Sequence, residues 1–288
     1  MIVSGFTFIR NAILYDYPIV ESIISILDIC DEVIVAVGKS EDKTLELIQE
    51  ISSNKIRIIE TEWDLSLREG GRVLAEETNK AMSAIDKNSD WCLYIQGDEV
   101  IHEKYLQKIK QEMHQWKDHP DVEGLLFKYR HFYGSYDYVG DSHKWYRNEI
   151  RIIRNGLGIK SYRDAQGFRL NNRKLKVKEI DAYIYHYGWV KPPELQSAKI
   201  RSFLSHWHQD EWVKENQPKQ DFDYGQIDSL KTFKEDHPKV MRNRIKSKNW
   251  DFDFDPTVKN FGVKAKLLYF IEKYLGFRPG EYKNYRKI

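Results

Sequence analysis

The sequence predicts an α/β protein built on a mostly parallel sheet with helices on its faces. Three observations carry this. Three β-rich apolar runs alternate with segments of helical periodicity before residue 90. One of those runs, Glu32 to Gly38, is almost continuously apolar, as in strands buried on both faces. A fourth run, Trp91 to Ile95, ends in the acidic turn Gln96-Gly97-Asp98-Glu99. Consecutive strand-helix units wind in the right-handed sense and open a ligand crevice beyond the carboxyl ends of the strands. Asp98 therefore falls where such sheets place metal and phosphate chemistry.

Taken in order, Ile2 to Ile9 reads as the first strand. Tyr17-Pro18 then opens a helix in which Val20, Ile23, Ile24 and Leu27 share a face. The strand Glu32–Gly38 leads through Ser40 to Thr44 into a helix carrying Leu45, Leu47, Ile48 and Ile51. Lys55 to Glu60 supplies a third strand, and a loop through Trp63, Asp64 and Gly70-Gly71 enters a helix from Arg72 to about Ile85. Past residue 100, Gly124 to Phe132 and Glu149 to Ile153 read as strands separated by an aromatic loop containing Tyr138 and Trp145. After Tyr183-Ile184-Tyr185-His186-Tyr187-Gly188-Trp189 the chain turns at Pro192-Pro193 and becomes charged and helical. The expected organisation is one domain over residues 1–190 and a mainly helical extension over 191–288 packed on it.

Composition narrows the class. With 288 residues, 41% hydrophobic and 14% aromatic, the chain can bury a full core. Its 46 basic and 44 acidic side chains give a net charge of +2, so nothing in the balance calls for nucleic acid. Cys30 and Cys92 stand far apart among apolar neighbours and read as buried free thiols of a reducing compartment. No run of about 18 apolar residues appears, so the expected location is cytoplasmic. The segment Phe261 to Phe277 interleaves Lys264, Lys266 and Lys273 with apolar residues, an amphipathic basic helix. Packing of its apolar face on the main domain is the commoner outcome; a peripheral contact with the inner face of a membrane is the other.

These motifs, in this order, resemble the inverting family 2 glycosyltransferases of the GT-A fold over about residues 3–190. Phe6-Thr7-Phe8-Ile9-Arg10-Asn11 is similar to their first strand, which ends at the donor nucleotide. Val37 to Thr44 resembles the loop after their second strand, and Gly70-Gly71-Arg72 to Ala81 the helix beside the diphosphate. Ile95-Gln96-Gly97-Asp98-Glu99 sits where the family carries its Asp-X-Asp metal motif, with Gln96 in place of the first Asp. The resemblance implies a Rossmann-like mixed sheet and transfer of a sugar from a UDP- or GDP-linked donor to a glycan or lipid-linked acceptor. It implies cell-surface polysaccharide or lipopolysaccharide synthesis as the setting. It further implies donor contacts from Thr7, Arg10, Asn11, Asp42, Arg72, Gln96, Gly97 and Asp98, and Mn2+ or Mg2+ held by Asp98 with His186.

Such chemistry needs these residue types. A departing nucleoside diphosphate gathers negative charge that a divalent ion offsets as a Lewis acid, and oxygen ligands such as Asp98 suit magnesium or manganese. An acceptor hydroxyl needs a general base, and Asp164, after the Arg151–Arg154 strand, stands roughly where the family's catalytic acid occurs. The alternative for Asp164 is an exposed carboxylate paired with Arg163 or Arg169; Glu99 and Glu103 are lesser candidates for the base. Asp42 and Asn11 also read as loop and helix caps, Arg72 as a solvated helix residue, and His186 as a packed histidine. Trp63, Tyr138, Trp145 and Trp189 are candidates to stack on sugar. Two rival functions stay open: a catalytically silent GT-A module that binds a glycan or a partner, and a nucleotidyltransferase. The second lacks a Gly-rich loop after the first strand, since Thr7 to Ala12 contains no glycine.

Overall fold

A computed structural model gives the fold; it describes residues 1–67 and 69–288, with the backbone alone at Glu69. The amino-terminal half follows the predicted alternation: β1 (Val3–Ile9), α1 (Ile19–Ile24), β2 (Glu32–Gly38), α2 (Thr44–Gln49), β3 (Ile56–Thr61), α3 (Arg72–Ser83) and β4 (Trp91–Tyr94). Then come β5 (Glu99–Ile101), α4 (Leu106–Trp116), β6 (Gly124–Tyr133), β7 (Tyr138–Gly140), β8 (Asn148–Arg154) and a small sheet of β9 (Lys160–Tyr162), β10 (Gly167–Leu170) and β11 (Arg173–Lys174). The 14-residue β12 (Lys176–Trp189) closes this part. Beyond it lie α5 (Pro193–Ser205), α6 (Asp210–Asn216), β13 (Leu230–Thr232), α7 (Arg242–Lys246), α8 (Val263–Leu275) and β14 (Arg286–Lys287).

The main sheet runs β3-β2-β1-β4-β8-β6, and β12 lies against the other edge of β6. Strands β3, β2, β1 and β4 are parallel, β8 is antiparallel to both β4 and β6, and β12 runs parallel to β6. This is the mixed α/β sheet flanked by helices that the sequence predicts. Alternation sends Val33, Val35 and Val37 of β2 to one face, with Ile19 and Ile23 of α1, and Ile34 and Ala36 to the other, with Ala81 of α3. Beyond residue 190 the chain is not confined to helix: β13, midway along this segment, pairs with β7, and β14, near its end, pairs with β12.

Three features differ from the sequence reading. Helix α1 stops at Ile24, and Leu27 lies in the turns that follow. Strand β12 starts well before the aromatic stretch at Ile184, because Lys176, Lys178, Glu179 and Asp181 mask its β pattern with charge. Helix α8 buries its apolar face only in part: Leu268 and Ile271, with Phe261 just before the helix, are half-buried, while Val263, Leu267, Phe270 and Tyr274 point to solvent. No helix among the described residues is long and apolar enough to cross a membrane. Cys30 and Cys92 are buried free thiols.

A charged pair fixes the turn after β4. Glu99 and Arg151 are fully buried, and Arg151 Nε and Nη2 donate to Glu99 Oε2 and Oε1 at 2.8 and 2.7 Å. The hydroxyl of Tyr129 donates to Glu99 Oε1 at 2.7 Å, and the Gln96 backbone N–H donates to Oε2 at 3.1 Å. This one carboxylate thus ties the turn to β8 and β6. Removing one partner strands the other charge in the core. Arg151→Met is expected to cost about 3–5 kcal/mol of unfolding free energy, measured by urea denaturation, and a loss below about 1 kcal/mol would show that the pair does not hold the turn.

Candidate active site

The carboxyl ends of β1, β4 and β12 and one side of α5 enclose a cavity of about 480 Å3. Asp98 reaches it because its carbonyl accepts from the Tyr187 N–H at 2.8 Å, clamping the turn to β12. The register of β12 on β6 shifts between His186 and Trp189, and such irregularities commonly aim side chains at a site. His186 Nε2 lies 3.7 Å from Asp98 Oδ2. Between them Gly188 leaves room: an added Cβ would stand 2.7 Å from each of these atoms.

A second histidine sets the first. His131 Nε2 faces the Tyr146 carbonyl at 2.8 Å, and a carbonyl only accepts, so this nitrogen carries the proton. Burial holds the His131 imidazole neutral, with its pKa well below the ordinary value. Its Nδ1 therefore accepts from His186 Nδ1 at 3.1 Å, leaving the lone pair of His186 Nε2 turned toward Asp98. Burial lowers the His186 pKa as well, keeping the ring neutral. No group of three or more His, Cys, Asp or Glu side chains gathers as a metal cluster among the described residues. Two donors nonetheless converge, an oxygen and an imidazole nitrogen, across the gap that Gly188 keeps open, and that set fits a divalent ion sharing further ligands with a substrate.

Helix α5 adds a cation. Lys199 Nζ donates to Asp98 Oδ2 and to the Gly188 carbonyl, both at 2.9 Å. Burial opposes its charge, but Asp98 outweighs burial and raises the Lys199 pKa. Burial likewise opposes the Asp98 carboxylate, while the Lys199 ammonium holds its carboxyl far below the usual range. Lys191 is fully buried, and its Nζ donates to the carbonyls of Tyr15 and Asp16 at 2.5 and 3.2 Å. The Tyr17 ring contacts both ammonium groups, 4.7 Å from Lys191 and 4.9 Å from Lys199.

Asp164 lines the same cavity on a strained loop. Its neighbours Arg163 and Ala165 adopt φ of 55° and 62°, the left-handed region that residues with a Cβ seldom occupy, and such strain concentrates at functional sites. Gly71 makes room for it: a Cβ there would sit 3.1 Å from that of Asp164. Burial raises the Asp164 pKa against its backbone hydrogen bonds and Arg163. Arg169 is not its partner; that guanidinium bonds the carbonyls of Phe168 and Asn284.

The other expected residues divide cleanly. Arg10, Asn11, Gln96, Gly97, Asp98, His186, Trp63 and Trp189 line the cavity, while Thr7, Asp42 and Arg72 do not. Thr7 is fully buried within β1, where Phe8 faces the opening instead. Asp42 caps its own loop, accepting from the N–H groups of Leu14 and Thr44 at 2.7 and 3.0 Å. Arg72 is exposed at the first position of α3. Gln96 Oε1 accepts from Arg151, and Gln96 Nε2 donates to the Ala165 carbonyl, both at 3.4 Å; a carboxylate could not make the second bond. Glu99 is held by Arg151, and Glu103 sits near His102 and Lys239, outside the cavity. Trp145 stacks on His131 and lines a second cleft, and the Tyr138 hydroxyl bonds Asp253.

Sequence reading missed Lys199, Tyr17, His131 and Gln166. Gln166 lines the cavity beside Asp164, and its Nε2 donates to Glu149 Oε1 at 2.9 Å. Burial pushes the Glu149 carboxyl up to about 8, and its Oε2 has no hydrogen-bond partner. A pKa raised from 4.5 on folding contributes stability that is complete at low pH and is lost as pH climbs through the folded value. Glu149→Gln is expected to flatten a decline of roughly 1 kcal/mol per pH unit between these limits. Thermal unfolding at pH 5 and pH 9 checks it, and an unchanged pH dependence would contradict a buried neutral acid.

No family model matches the chain, and no curated protein matches it. Among solved structures it is similar to TarS of S. aureus, at 18% identity and a TM-score of 0.45, covering 70% of this chain and 39% of that one. The chain thus spans well under half the length of that protein. It is also similar to TarS 1–349 in complex with UDP-GlcNAc, at 17% identity and a TM-score of 0.42, covering 75% and 70% of the two chains. A third is glucosyl-3-phosphoglycerate synthase from Mycobacterium tuberculosis in complex with Mn2+, UDP and phosphoglyceric acid, at 18% identity and a TM-score of 0.30, covering 45% and 43%.

Proposed function

We propose that this protein transfers a sugar from a nucleoside-diphosphate donor to a glycan or lipid-linked acceptor with inversion, as an enzyme of the family 2 glycosyltransferase type. The setting we assign is cell-surface polysaccharide or lipopolysaccharide synthesis. One observation carries the reading: Asp98, His186 and Lys199 meet at one end of a cavity whose wall also carries Asp164 and Trp63.

In this reading the donor diphosphate lies toward Asp98, His186 and Lys199. Asp98 and His186 would hold Mn2+ or Mg2+, which supplies Lewis-acid neutralisation of the departing diphosphate. Lys199 and Arg10 add positive charge of the protein's own, aimed where the phosphates gather negative charge. His131 fixes the orientation of His186 and does not itself touch donor. Trp63 and Trp189 offer flat apolar walls for a sugar ring. Asp164 accepts the proton of the acceptor hydroxyl as its oxygen bonds the anomeric carbon and the sugar–phosphate bond breaks on the opposite face. Its raised pKa suits a base, since a stronger base takes a proton more readily. The non-catalytic module keeps one point in its favour: Asp98 already has an internal ammonium partner.

Turnover of a panel of UDP- and GDP-sugars with Mn2+ separates the two. The wild type is expected to release nucleoside diphosphate, at a rate that rises with pH through a carboxyl pKa above the ordinary range. Asp164→Asn is expected to lose about 10²–10⁴-fold in kcat while nucleotide affinity is kept. An unchanged kcat would remove Asp164 from the chemistry, and a wild type silent toward every donor would favour the binding module.

A further inference from the structure

Helix α8 turns an apolar stripe outward, and no residue of it is buried. Val263, Leu267, Phe270 and Tyr274 recur at helical spacing as one stripe, with exposures of 89%, 60%, 56% and 65%. Leu275 and Phe277 extend it. The inward side is mixed: Ala265, Leu268 and Ile271 are half-buried there, the Tyr269 hydroxyl donates to Asp141 at 3.2 Å, and Glu272 pairs with Arg278 at 2.6 Å.

Charge is sorted in the same way. Every exposed charged side chain from residue 261 to the end is a cation: Lys264, Lys266, Lys273, Lys283, Arg286 and Lys287, the last paired with Glu179. Both acids of that stretch face inward, Glu272 on Arg278 and Glu281 on Arg147. An apolar stripe edged by lysines, with its carboxylates withdrawn, complements a surface that is apolar at depth and anionic at its rim.

From these two observations we infer that α8 is a docking element for an anionic phospholipid surface, its stripe entering the interface while the flanking lysines stay at headgroup level. A second copy of the chain fits less well. A two-fold contact through this stripe would bring the same cations face to face. The inference stands apart from the sugar-transfer reading, since it uses none of the cavity residues.

Co-sedimentation with phosphatidylcholine vesicles, with and without phosphatidylglycerol, tests it on the full chain. The wild type is expected to pellet with the anionic vesicles and to be released by high salt. Leu267→Glu with Phe270→Glu should weaken binding at least about tenfold. Lys264→Gln, Lys266→Gln and Lys273→Gln together should weaken it about 10- to 100-fold and flatten the salt dependence. All of these positions are exposed, so the thermal midpoint should hold. A wild type that stays in solution with both vesicle types would overturn the inference, as would equal binding by the Glu variant. So would a dimer that the Glu variant dissolves while vesicles leave the protein unbound.

Discussion

The buried Glu99–Arg151 pair is the constraint on which the site depends. Arg151 comes from β8, a strand antiparallel to β4, so its guanidinium meets the turn from the adjacent strand and not from the strand that the turn ends. The same guanidinium bonds the Gln166 carbonyl at 3.2 Å and the Gln96 side chain at 3.4 Å. One rigid planar group therefore fixes both the turn that bears Asp98 and the loop that bears Asp164. Two walls of the cavity are set by a single ion pair. Its worth lies in position rather than in net stability, because desolvation consumes most of what the attraction between buried charges returns.

Around this anchor the Asp98 end of the cavity holds a carboxylate and an ammonium side by side. Asp98 faces the ammonium of Lys199, and Lys191 lies against Tyr17 with only carbonyl oxygens as hydrogen-bond partners. Burial, aided by Lys199, pushes the Lys191 pKa well below the usual lysine value, so a second cation beside Lys199 is disfavoured. An anion entering this end meets preset donors and needs little rearrangement. Asp164 lines the same cavity together with Trp63, Phe203 and Gln166, and burial raises its pKa. One cavity thus offers both a cation and a carboxylate of raised pKa, an arrangement suited to holding a leaving group and receiving a proton.

Local pattern accounts for what the sequence made legible. Apolar runs with their flanking turns located β1 to β4 and α3, and strand order placed Arg10, Gln96 and Asp98 at one edge. Long-range contact accounts for what it did not. Lys199 meets Asp98 across 101 residues, and nothing in the weakly amphipathic α5 distinguishes that lysine from its neighbours. His131 is one histidine in an aromatic strand, and its role appears only when β6 and β12 pair in register. Thr7 falls outside the cavity because strand alternation turns it into the core. Asp42 falls outside because its carboxylate is used to close its own loop. The outward face of α8 shows the limit of amphipathicity, which identifies a stripe without saying what it meets.

The central claim is that Asp98, with His186, is the donor end of the site. Calorimetric titration with UDP and with GDP, with and without Mn2+, tests it most directly when repeated on Asp98→Ala and His186→Ala. The account predicts that one nucleotide binds the wild type more tightly with Mn2+ present, and that both variants lose the metal-dependent increment. Metal-enhanced binding that persists in both variants, or no binding of either nucleotide under any condition, would contradict it.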